Sequence, residues 1–269
     1  MKIVRSVADL RAELVPAHGR GSRIGLVPTM GALHAGHLSL IAAARGDCDQ
    51  VVVSLFVNPA QFGRDEDLER YPRDEARDVA LADAAGIDLL FAPDAEEMYP
   101  EGFDTSVDPG KLGTFLEGTA RPGHFRGVAT ICTRLFLLVR PSRAYFGRKD
   151  AQQVAVVKQL VRDLELPVEI VACPTVRDPD GLALSSRNIF LSADERKAAL
   201  ALPRALEAGM QAYRSGKDAV RAVRQVLDTE RGLKVDYVAK ADLDGPTLAA
   251  AVMVGSTRLI DNVLLSTEV

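Results

Sequence analysis

Residues 23–40, RIGLVPTMGALHAGHLSL, decide the fold because an apolar run leads directly into a turn rich in glycine and histidine. The run RIGLVPT predicts a short buried strand that ends at Pro28. After the turn, HLSLIAAAR carries Leu38, Ile41 and Ala42 at helical spacing. In an open α/β sheet, ligands bind at the carboxyl ends of the strands, and this turn lies at such an end. We therefore expect a strand, a ligand-binding turn and a helix in succession.

The alternation of strand and helix patterns continues as far as Val176. Apolar runs that predict further strands lie at residues 51–57, 87–93, 143–147 and 168–176. Helical patterns separate them, such as the stripe formed by Val128, Ile131 and Leu135, although residues 95–127 show little regular pattern. Strands and helices at this spacing favour a parallel sheet with helices on both faces. The sequence therefore predicts the α/β class, with a Rossmann-like, doubly wound parallel sheet.

The pattern changes after Val176. A DPDG turn at residues 178–181 is followed by a polar loop, and Ser192 with Glu195 forms a capping-box pattern that opens a long alanine-rich helix. Apolar runs near the end of the chain then predict strands without long helices between them. We therefore expect two domains, residues 1–176 and a second, smaller α+β C-terminal domain at residues 177–269.

Composition and charge disfavour several classes of protein. The 269 residues are 47% hydrophobic and 26% charged, which is typical of a globular chain, and the net charge is -4. A sequence-blind nucleic-acid binder needs a basic surface instead. No segment approaches the roughly 20 apolar residues of a membrane span, and charged residues between Arg5 and Glu13 interrupt what would be a signal peptide. We expect a cytoplasmic protein without nucleic-acid or membrane partners, whose three cysteines are reduced.

The histidine-containing turn suits an anionic ligand. Gly31 and Gly36 allow close approach to the backbone, and the helix that follows offers N–H groups to an anion. His34 and His37 lie at the mouth of this helix, where imidazoles can donate to a phosphate. Two alternatives stay open at this point: a helix-entry turn with packed histidines, and a zinc pair, for which no third ligand stands at metal-like spacing. The G-x-x-x-x-G spacing differs from the dinucleotide fingerprint.

Three further polar clusters add to this turn. Asn58 and Gln61 in NPAQF supply uncharged amides that suit the hydroxyl and carboxylate groups of a ligand. Lys149 and Asp150 in FGRKDAQQ stand at a strand-to-helix junction, where an Asp is also a common helix cap. The segment LALSSRN at residues 182–188 offers hydroxyl and guanidinium donors for phosphate oxygens, or is simply a polar turn. Together, several polar groups on one rim favour a ligand-binding site.

The chain resembles the pantoate–β-alanine ligase family through motifs that follow one another in a fixed order: PTMGALHAGH, NPAQF, YPRDEARD, GTARPGHFRGVAT, FGRKDAQQ and LALSSRN. H-x-G-H alone would indicate only the wider nucleotidyltransferase superfamily. The resemblance implies ATP-dependent condensation of (R)-pantoate with β-alanine through a pantoyl adenylate, with release of diphosphate and AMP. It also implies magnesium and a homodimer, and we expect the second domain to close over the active site.

The resemblance implies a nucleotide site made of residues from four separate parts of the chain. The residues that would contact ATP are Met30, Gly31, Ala32, Leu33, His34, Ala35, Gly36, His37, Gly147, Arg148, Lys149, Asp150, Val176, Leu184, Ser185, Ser186 and Arg187. Within this set, His37 would be the proton donor, His34 would stabilise the phosphates, and Lys149 would contact phosphate. These three are the predicted catalytic residues.

Substrate and metal contacts follow from the same resemblance. Gln61 and Gln153 would bind pantoate, with Gln61 near β-alanine as well. Asn58, which shares the strand end of Gln61, is expected in the same substrate site from its position in the sequence. Asp78, which ends the YPRDEARD segment, would be a magnesium partner. Two rival functions remain, another H-x-G-H adenylyl- or cytidylyltransferase and a non-catalytic nucleotide sensor on the same fold.

Overall fold

The computed structural model describes residues 1–63 and 68–265. The chain divides into two compact units, one made of Met1–Gly147 with Gln153–Cys173 and one made of Arg148–Gln152 with Pro174–Val269. The domain boundary after Val176, and the closure of the second domain over the active site, stay predictions. Among the described residues, none of the helices is long and apolar enough to cross a membrane.

The first unit is built on a six-stranded sheet. Its strands are β1 (Lys2–Val4), β2 (Ile24–Thr29), β3 (Gln50–Leu55), β4 (Leu89–Phe91), β5 (Arg143–Gly147) and β6 (Glu169–Cys173). Its helices are α1 (Val7–Gly19), α2 (Ala35–Asp47), α3 (Glu75–Ala84), α4 (Ala95–Met98), α5 (Glu117–Ala120), α6 (His124–Val139) and α7 (Ala151–Asp163), the last from residue 153 onward.

All strand pairs in this sheet are parallel, in the order β1-β4-β3-β2-β5-β6. From β2 the chain moves outward through β3 to β4, and it then returns to the other side of β2 to form β5 and β6. Ligands of open α/β sheets bind at the carboxyl ends of the strands, where the strand order reverses. The predicted doubly wound sheet is confirmed, and the reversal lies at β2 and β5.

Helices cover both faces of the sheet and give it two cores. On one face, Leu26 of β2 packs in a cluster with Leu14 of α1 and Leu135 of α6. On the other face, Val27 packs in a cluster with Ile41 of α2. Successive residues of a strand point to opposite faces, so β2 contributes side chains to both cores. This burial on both sides explains why the strand is a continuous apolar run.

Several elements of the first unit escape sequence patterns, most of them short. The structure contains β1 and α1, neither of which the patterns predict, and α1 buries only three side chains and contains Pro16. Between residues 95 and 127, the chain forms α4, α5 and a 3-10 helix at Gly110–Gly113. Elements of three or four residues are too short to display a period, and tertiary contacts decide their conformation.

The second unit has its own sheet and core, which confirms the predicted smaller α+β part of the chain. Strands β7 (Leu233–Asp242), β8 (Pro246–Val254) and β9 (Thr257–Leu264) form an antiparallel sheet in that order. The helices are α8 (Ala193–Ala199), α9 (Ala201–Arg214) and α10 (Ala219–Leu227). Ser192 and Glu195 form the predicted capping box at the start of α8, but the single long helix expected there is divided into α8 and α9.

Candidate active site

The turn between β2 and α2 has an unusual backbone. Gly31 has a φ of 85° and Ala32 a φ of 51°, so two successive residues adopt the left-handed region. A Cβ atom added to Gly31 would lie 3.0 Å from Oδ2 of Asp78 and 3.1 Å from Cδ1 of Leu55. Glycine is therefore favoured at residue 31 both by the backbone conformation and by the close packing of the turn.

Asp78 fixes the backbone of this turn. It lies in the first turn of α3 and is only 2% exposed. Its Oδ2 accepts the N–H of Ala32 at 2.8 Å, and its Oδ1 accepts the N–H of Leu33 at 2.7 Å. Hydrogen bonds to an ionised carboxylate are shorter and stronger than those to a neutral acceptor. Asp78 is thus a brace for the turn that carries His34.

The magnesium contact of Asp78 stays a prediction. Each oxygen of this carboxylate already accepts one backbone N–H, so a metal ion would have to use the remaining lone pairs. Within residues 1–63 and 68–265, no group of three or more His, Cys, Asp or Glu side chains is placed to hold a metal ion. The zinc alternative for His34 and His37 therefore gains no support from the described residues.

His34 and His37 contribute to the start of α2 through their Nδ1 atoms. Nδ1 of His34 accepts the backbone N–H of Gly36 at 3.1 Å, and Nδ1 of His37 accepts the backbone N–H of His34 at 3.4 Å. Together they form a capping box with His34 as the N-cap residue, and the centroids of their rings lie 4.1 Å apart. The alternative interpretation, a helix-entry turn with packed histidines, therefore explains part of their role, because both rings stabilise the start of α2.

These contacts also determine which nitrogen carries the proton. In a neutral imidazole one nitrogen accepts and the other donates, and the hydrogen-bond partners decide the tautomer. Since Nδ1 accepts in both His34 and His37, the hydrogen lies on Nε2 in each ring. Each side chain thus accepts a backbone N–H at the helix start with Nδ1, and its Nε2 is a donor. Two adjacent donors of this kind suit an anionic phosphate.

Gln61 lies in a short 3-10 helix, Pro59–Gln61, that follows β3. Its Oε1 accepts from Nδ2 of Asn58 at 2.9 Å, and its Nε2 donates to Sδ of Met30 at 3.1 Å. Met30 directly follows β2 and precedes the histidine-containing turn. The structure therefore brings together predicted site residues from the ends of two neighbouring strands.

Asn58, which donates to Gln61, is buried, with 1% of its surface exposed. Its Nδ2 also donates to the backbone oxygen of Gly127 at 3.2 Å. Burial raises the pKa of Tyr99 to about 12, so its hydroxyl stays protonated and donates to Oδ1 of Asn58 at 2.6 Å. Both polar atoms of the amide are therefore used in internal hydrogen bonds. Direct contact between Asn58 and a substrate stays a prediction.

Two residues that the sequence analysis does not assign also contact Gln61. Nδ1 of His124 donates to the backbone oxygen of Gln61 at 2.9 Å, and Nη1 of Arg121 donates to Nε2 of His124 at 3.1 Å. The carbonyl only accepts and the guanidinium only donates, so the neutral ring carries its hydrogen on Nδ1. The motif GTARPGHFRG contains both residues, but no pattern in the sequence indicates that they meet the turn at Gln61.

In the second unit, Arg148–Asp150 form a 3-10 turn that leads into α7. Nη2 of Arg148 lies 2.9 Å from Oδ2 of Asp244, and Nζ of Lys149 lies 3.5 Å from Oδ1 of Asp150. The guanidinium of Arg148 thus pairs with a carboxylate of its own unit. The predicted ATP contacts of this segment stay predictions, as do those of Gly147 at the end of β5.

The other predicted nucleotide segment of the second unit is a loop closed at its base. Leu184 donates its backbone N–H to the oxygen of Val176 at 3.0 Å, which brings the two predicted residues together. Oγ of Ser185 accepts the N–H of Arg187 at 3.3 Å and caps the 3-10 helix Ser186–Phe190. Gln153, by contrast, belongs to the first unit and lies in the first turn of α7.

A model of the Pantoate-beta-alanine ligase family matches residues 2–264 of this chain. The chain is 52% identical to the pantothenate synthetase of Roseiflexus castenholzii, over 98% of this chain and 99% of that protein. It is 52% identical to the pantothenate synthetase of Chloroflexus aggregans, over 98% of this chain and 100% of that protein.

Two solved structures are similar over nearly the whole chain. The crystal structure of pantothenate synthetase from Thermus thermophilus has a TM-score of 0.93 at 49% identity, covering 98% of this chain and 99% of that one. The pantoate-beta-alanine ligase of Francisella tularensis, crystallised with Beta-gamma ATP and β-alanine, has a TM-score of 0.86 at 34% identity and covers 98% of each chain. On the strength of this full-length match, the chain belongs to the pantoate-beta-alanine ligase family.

Proposed function

We propose that this chain joins (R)-pantoate and β-alanine into pantothenate, with ATP as the activating substrate and AMP and diphosphate as further products. One observation carries the proposal within a chain of this family. His34 and His37 lie at the carboxyl end of β2 with each Nδ1 accepting a backbone N–H of the helix start, and Met30 of the same turn contacts the buried amide of Gln61. Donors for phosphate thus lie beside an amide that suits pantoate.

The first half-reaction activates the carboxylate of pantoate. One of its oxygens attacks the α-phosphorus of ATP, so that a new O–P bond forms while the bond between this phosphorus and the diphosphate oxygen breaks. Negative charge builds up on the phosphorus-bound oxygens and on the leaving diphosphate. Donors that are already fixed in place stabilise such charge most effectively. We assign this role to Nε2–H of His34 and His37, with Lys149 and Arg187 supplying positive charge.

The role of His37 as a proton donor stays a prediction, and the observed hydrogen bonds favour a second role for it. A neutral ring whose Nδ1 accepts a backbone N–H carries its hydrogen on Nε2, and this N–H can stabilise a phosphate oxygen by hydrogen bonding alone. His37→Gln would place an amide nitrogen near the position of Nε2, whereas His37→Asn would place its amide nearer Nδ1. Recovery of activity in the Gln variant alone would support hydrogen bonding, while loss in both variants would support proton transfer.

The second half-reaction forms the amide bond of pantothenate. The unprotonated amine of β-alanine attacks the carbonyl carbon of pantoyl adenylate, the C–N bond forms, and the C–O bond to AMP breaks. The nitrogen then loses a proton to solvent. AMP is already a good leaving group, so no serine or cysteine of the protein is needed as a covalent nucleophile.

Substrate selection is assigned to the amides of Gln61 and Gln153. A hydroxyl and a carboxylate of pantoate each need a hydrogen-bond partner once they leave water, because unpaired polar groups are costly to bury. Asn58 supports this selection indirectly, since it donates to Oε1 of Gln61 and thereby fixes the orientation of that amide.

Magnesium, a homodimeric state and a cytoplasmic location complete the proposal. Magnesium in nucleotide sites is held mainly by phosphate oxygens and waters, with one or two protein carboxylates. When bound with ATP it would neutralise phosphate charge, and Asp78 is the candidate carboxylate. The dimer rests on the family resemblance and the location on the charge and hydropathy pattern of the sequence, and sedimentation and cell fractionation test them.

Product analysis tests the function. AMP formation should require both pantoate and β-alanine, and exchange of labelled diphosphate into ATP should require pantoate alone. Another H-x-G-H transferase would release a stable nucleotidyl product, and a nucleotide sensor would form no AMP, so either result contradicts the proposal. His37→Ala should lower exchange by about 10²–10³-fold. His18→Ala, which alters a histidine in the last turn of α1, is the matched control and should exchange normally.

A further inference from the structure

Two neighbouring residues of β9, Asp261 and Asn262, lie on opposite faces of the three-stranded sheet. Asp261 is paired with Ala250 of β8, and Asn262 is paired with Ala249. Ala250 belongs to the core formed with the helices of the second unit, so Asp261 lies on the helix-covered face. Asn262 lies on the opposite face. Both are polar and almost fully buried, at 2% and 8% exposure.

Asn262 holds the segment that contains Lys149. Its Nδ2 donates to the backbone oxygen of Arg148 at 2.8 Å and to that of Lys149 at 2.9 Å. A primary amide has two hydrogens on this nitrogen, so one side chain satisfies two consecutive carbonyl groups. The position of the Lys149 backbone is thus determined by a strand that lies more than a hundred residues later in the sequence.

Asp261 holds the loop that precedes Ser185. Its Oδ2 and Oδ1 accept from Nη1 and Nη2 of Arg177 at 2.6 Å and 3.0 Å, which is a bidentate pair. Nη1 of Arg177 also donates to the backbone oxygen of Gly181, within the loop closed by Val176 and Leu184. Oδ1 of Asp261 further accepts the backbone N–H of Asn262 at 2.8 Å, so the two residues are also joined to each other by a hydrogen bond.

We propose that Asp261 and Asn262 are positioning residues for the nucleotide, which hold the Lys149 segment and the loop leading to Ser185 in one fixed geometry. The inference rests on the proposed function, which places Lys149 and Ser185 against ATP. Charge stabilisation in the transition state depends on donors that are already in place, and a displacement of about 1 Å costs on the order of 10²-fold in rate. Neither residue contacts substrate in this role; both act through the segments that they hold.

Asn262 provides the cleaner test, because removing Asp261 would leave Arg177 without its buried partner. Asn262→Ala should lower kcat of pantoate-dependent diphosphate exchange by roughly 10–100-fold. KM for pantoate should not change. Asn262→Asp keeps the size of the side chain but replaces its donor with an acceptor, so it should lose at least as much. Wild-type exchange in Asn262→Asp would overturn the proposal.

Arg258→Ala is the matched control. Arg258 lies on β9 on the same face as Asn262 and forms an ion pair with Asp236 of β7. All variants are assayed well below their own unfolding midpoints, which circular dichroism measures. Arg258→Ala should exchange normally. An equal loss of exchange in the control and in Asn262→Ala would mean that damage to β9, and not the two carbonyl contacts, lowers activity, and it would overturn the inference.

A double-mutant cycle with Lys149→Ala separates positioning from general destabilisation. If Asn262 acts through Lys149, Asn262→Ala should cost little further activity once Lys149 is absent, since the effects of coupled residues are not additive. Full additivity would overturn the positioning role. Normal exchange in Lys149→Ala itself would instead contradict the proposed function of Lys149, so the two failures are distinguishable.

Discussion

Replacing Asp78 by asparagine keeps the size of a buried side chain but turns one of its two acceptor oxygens into a donor. At present both oxygens accept backbone N–H groups of the turn, at 2.8 Å and 2.7 Å. In Asp78→Asn one of these N–H groups would face an NH2 group, so at least one bond is lost. A hydrogen bond to a charged group contributes about 1.5–3 kcal/mol, and leaving its buried donor unpaired costs a similar amount.

We therefore expect Asp78→Asn to lower the free energy of unfolding by roughly 2–4 kcal/mol. Urea denaturation followed by circular dichroism measures this loss. Asp83→Asn is the matched control, because Asp83 lies on the same helix, α3, but its side chain is 63% exposed, and its ion pair with the N-terminal amine is a surface pair of small energy. The control should be nearly as stable as the unmodified chain. Asp78→Asn should also lower diphosphate exchange, because the turn that it releases carries His34.

The same variant distinguishes a brace from a metal ligand. If Asp78 acts as a brace, the stability loss appears without magnesium, and excess magnesium does not restore exchange. If unfolding is unchanged while the magnesium concentration needed for half-maximal exchange rises, the bracing argument is refuted and the carboxylate is a metal ligand.

Three further outcomes are expected. His34→Asn should keep the helix cap through its side-chain oxygen, whereas His34→Ala should lose about 0.5–2 kcal/mol in urea denaturation. Both should lose about 10²–10³-fold in exchange, because neither has a donor at Nε2, and normal exchange in His34→Asn would limit His34 to capping. Gln61→Ala should raise KM for pantoate, at a cost of roughly 1–3 kcal/mol, and leave ATP affinity measured by calorimetry unchanged; weaker ATP binding alone would contradict the assignment. Burial raises the pKa of Cys132 from 9.0 to about 12, so the thiol stays protonated to a higher pH in the folded state than in the unfolded state. The unfolded state loses this proton first, so stability should fall as the pH rises above 9.0, and thiol reagents should label Cys132 only after denaturation.

Local pattern explains why the main sheet could be predicted. β2 and β3 are mainly apolar strands of six residues; Pro28 is the next-to-last residue of β2, and an Asn-Pro pair follows the end of β3. Helices α2 and α6 bury regular stripes. These signals depend on neighbouring residues alone, so they are visible in one sequence. By the same reasoning, α4 and α5, with four residues each, are too short to show a stripe.

The positioning roles of Asp78 and Asn262 could not be predicted in the same way. Asp78 bonds to residues 32 and 33, and Asn262 bonds to residues 148 and 149. Nothing near Asn262 in the sequence distinguishes it from an ordinary polar residue in a strand. Motif resemblance finds residues that carry a family pattern, such as His34 and Gln61, but it does not reveal what holds them in place. Those contacts depend on the whole fold.

The strand order also has a consequence for the newly made chain. β2 emerges from the ribosome early and pairs with β3 on one side, but its other edge pairs with Arg143 and Ala144 of β5. Until β5 is synthesised, the backbone N–H and C=O groups along this edge have no partner strand, and exposed edges of apolar strands promote aggregation. The strand that leads to the histidines is therefore vulnerable for most of the translation of the first unit. Chaperone binding during this interval would protect the chain, and rapid translation up to residue 147 would shorten it.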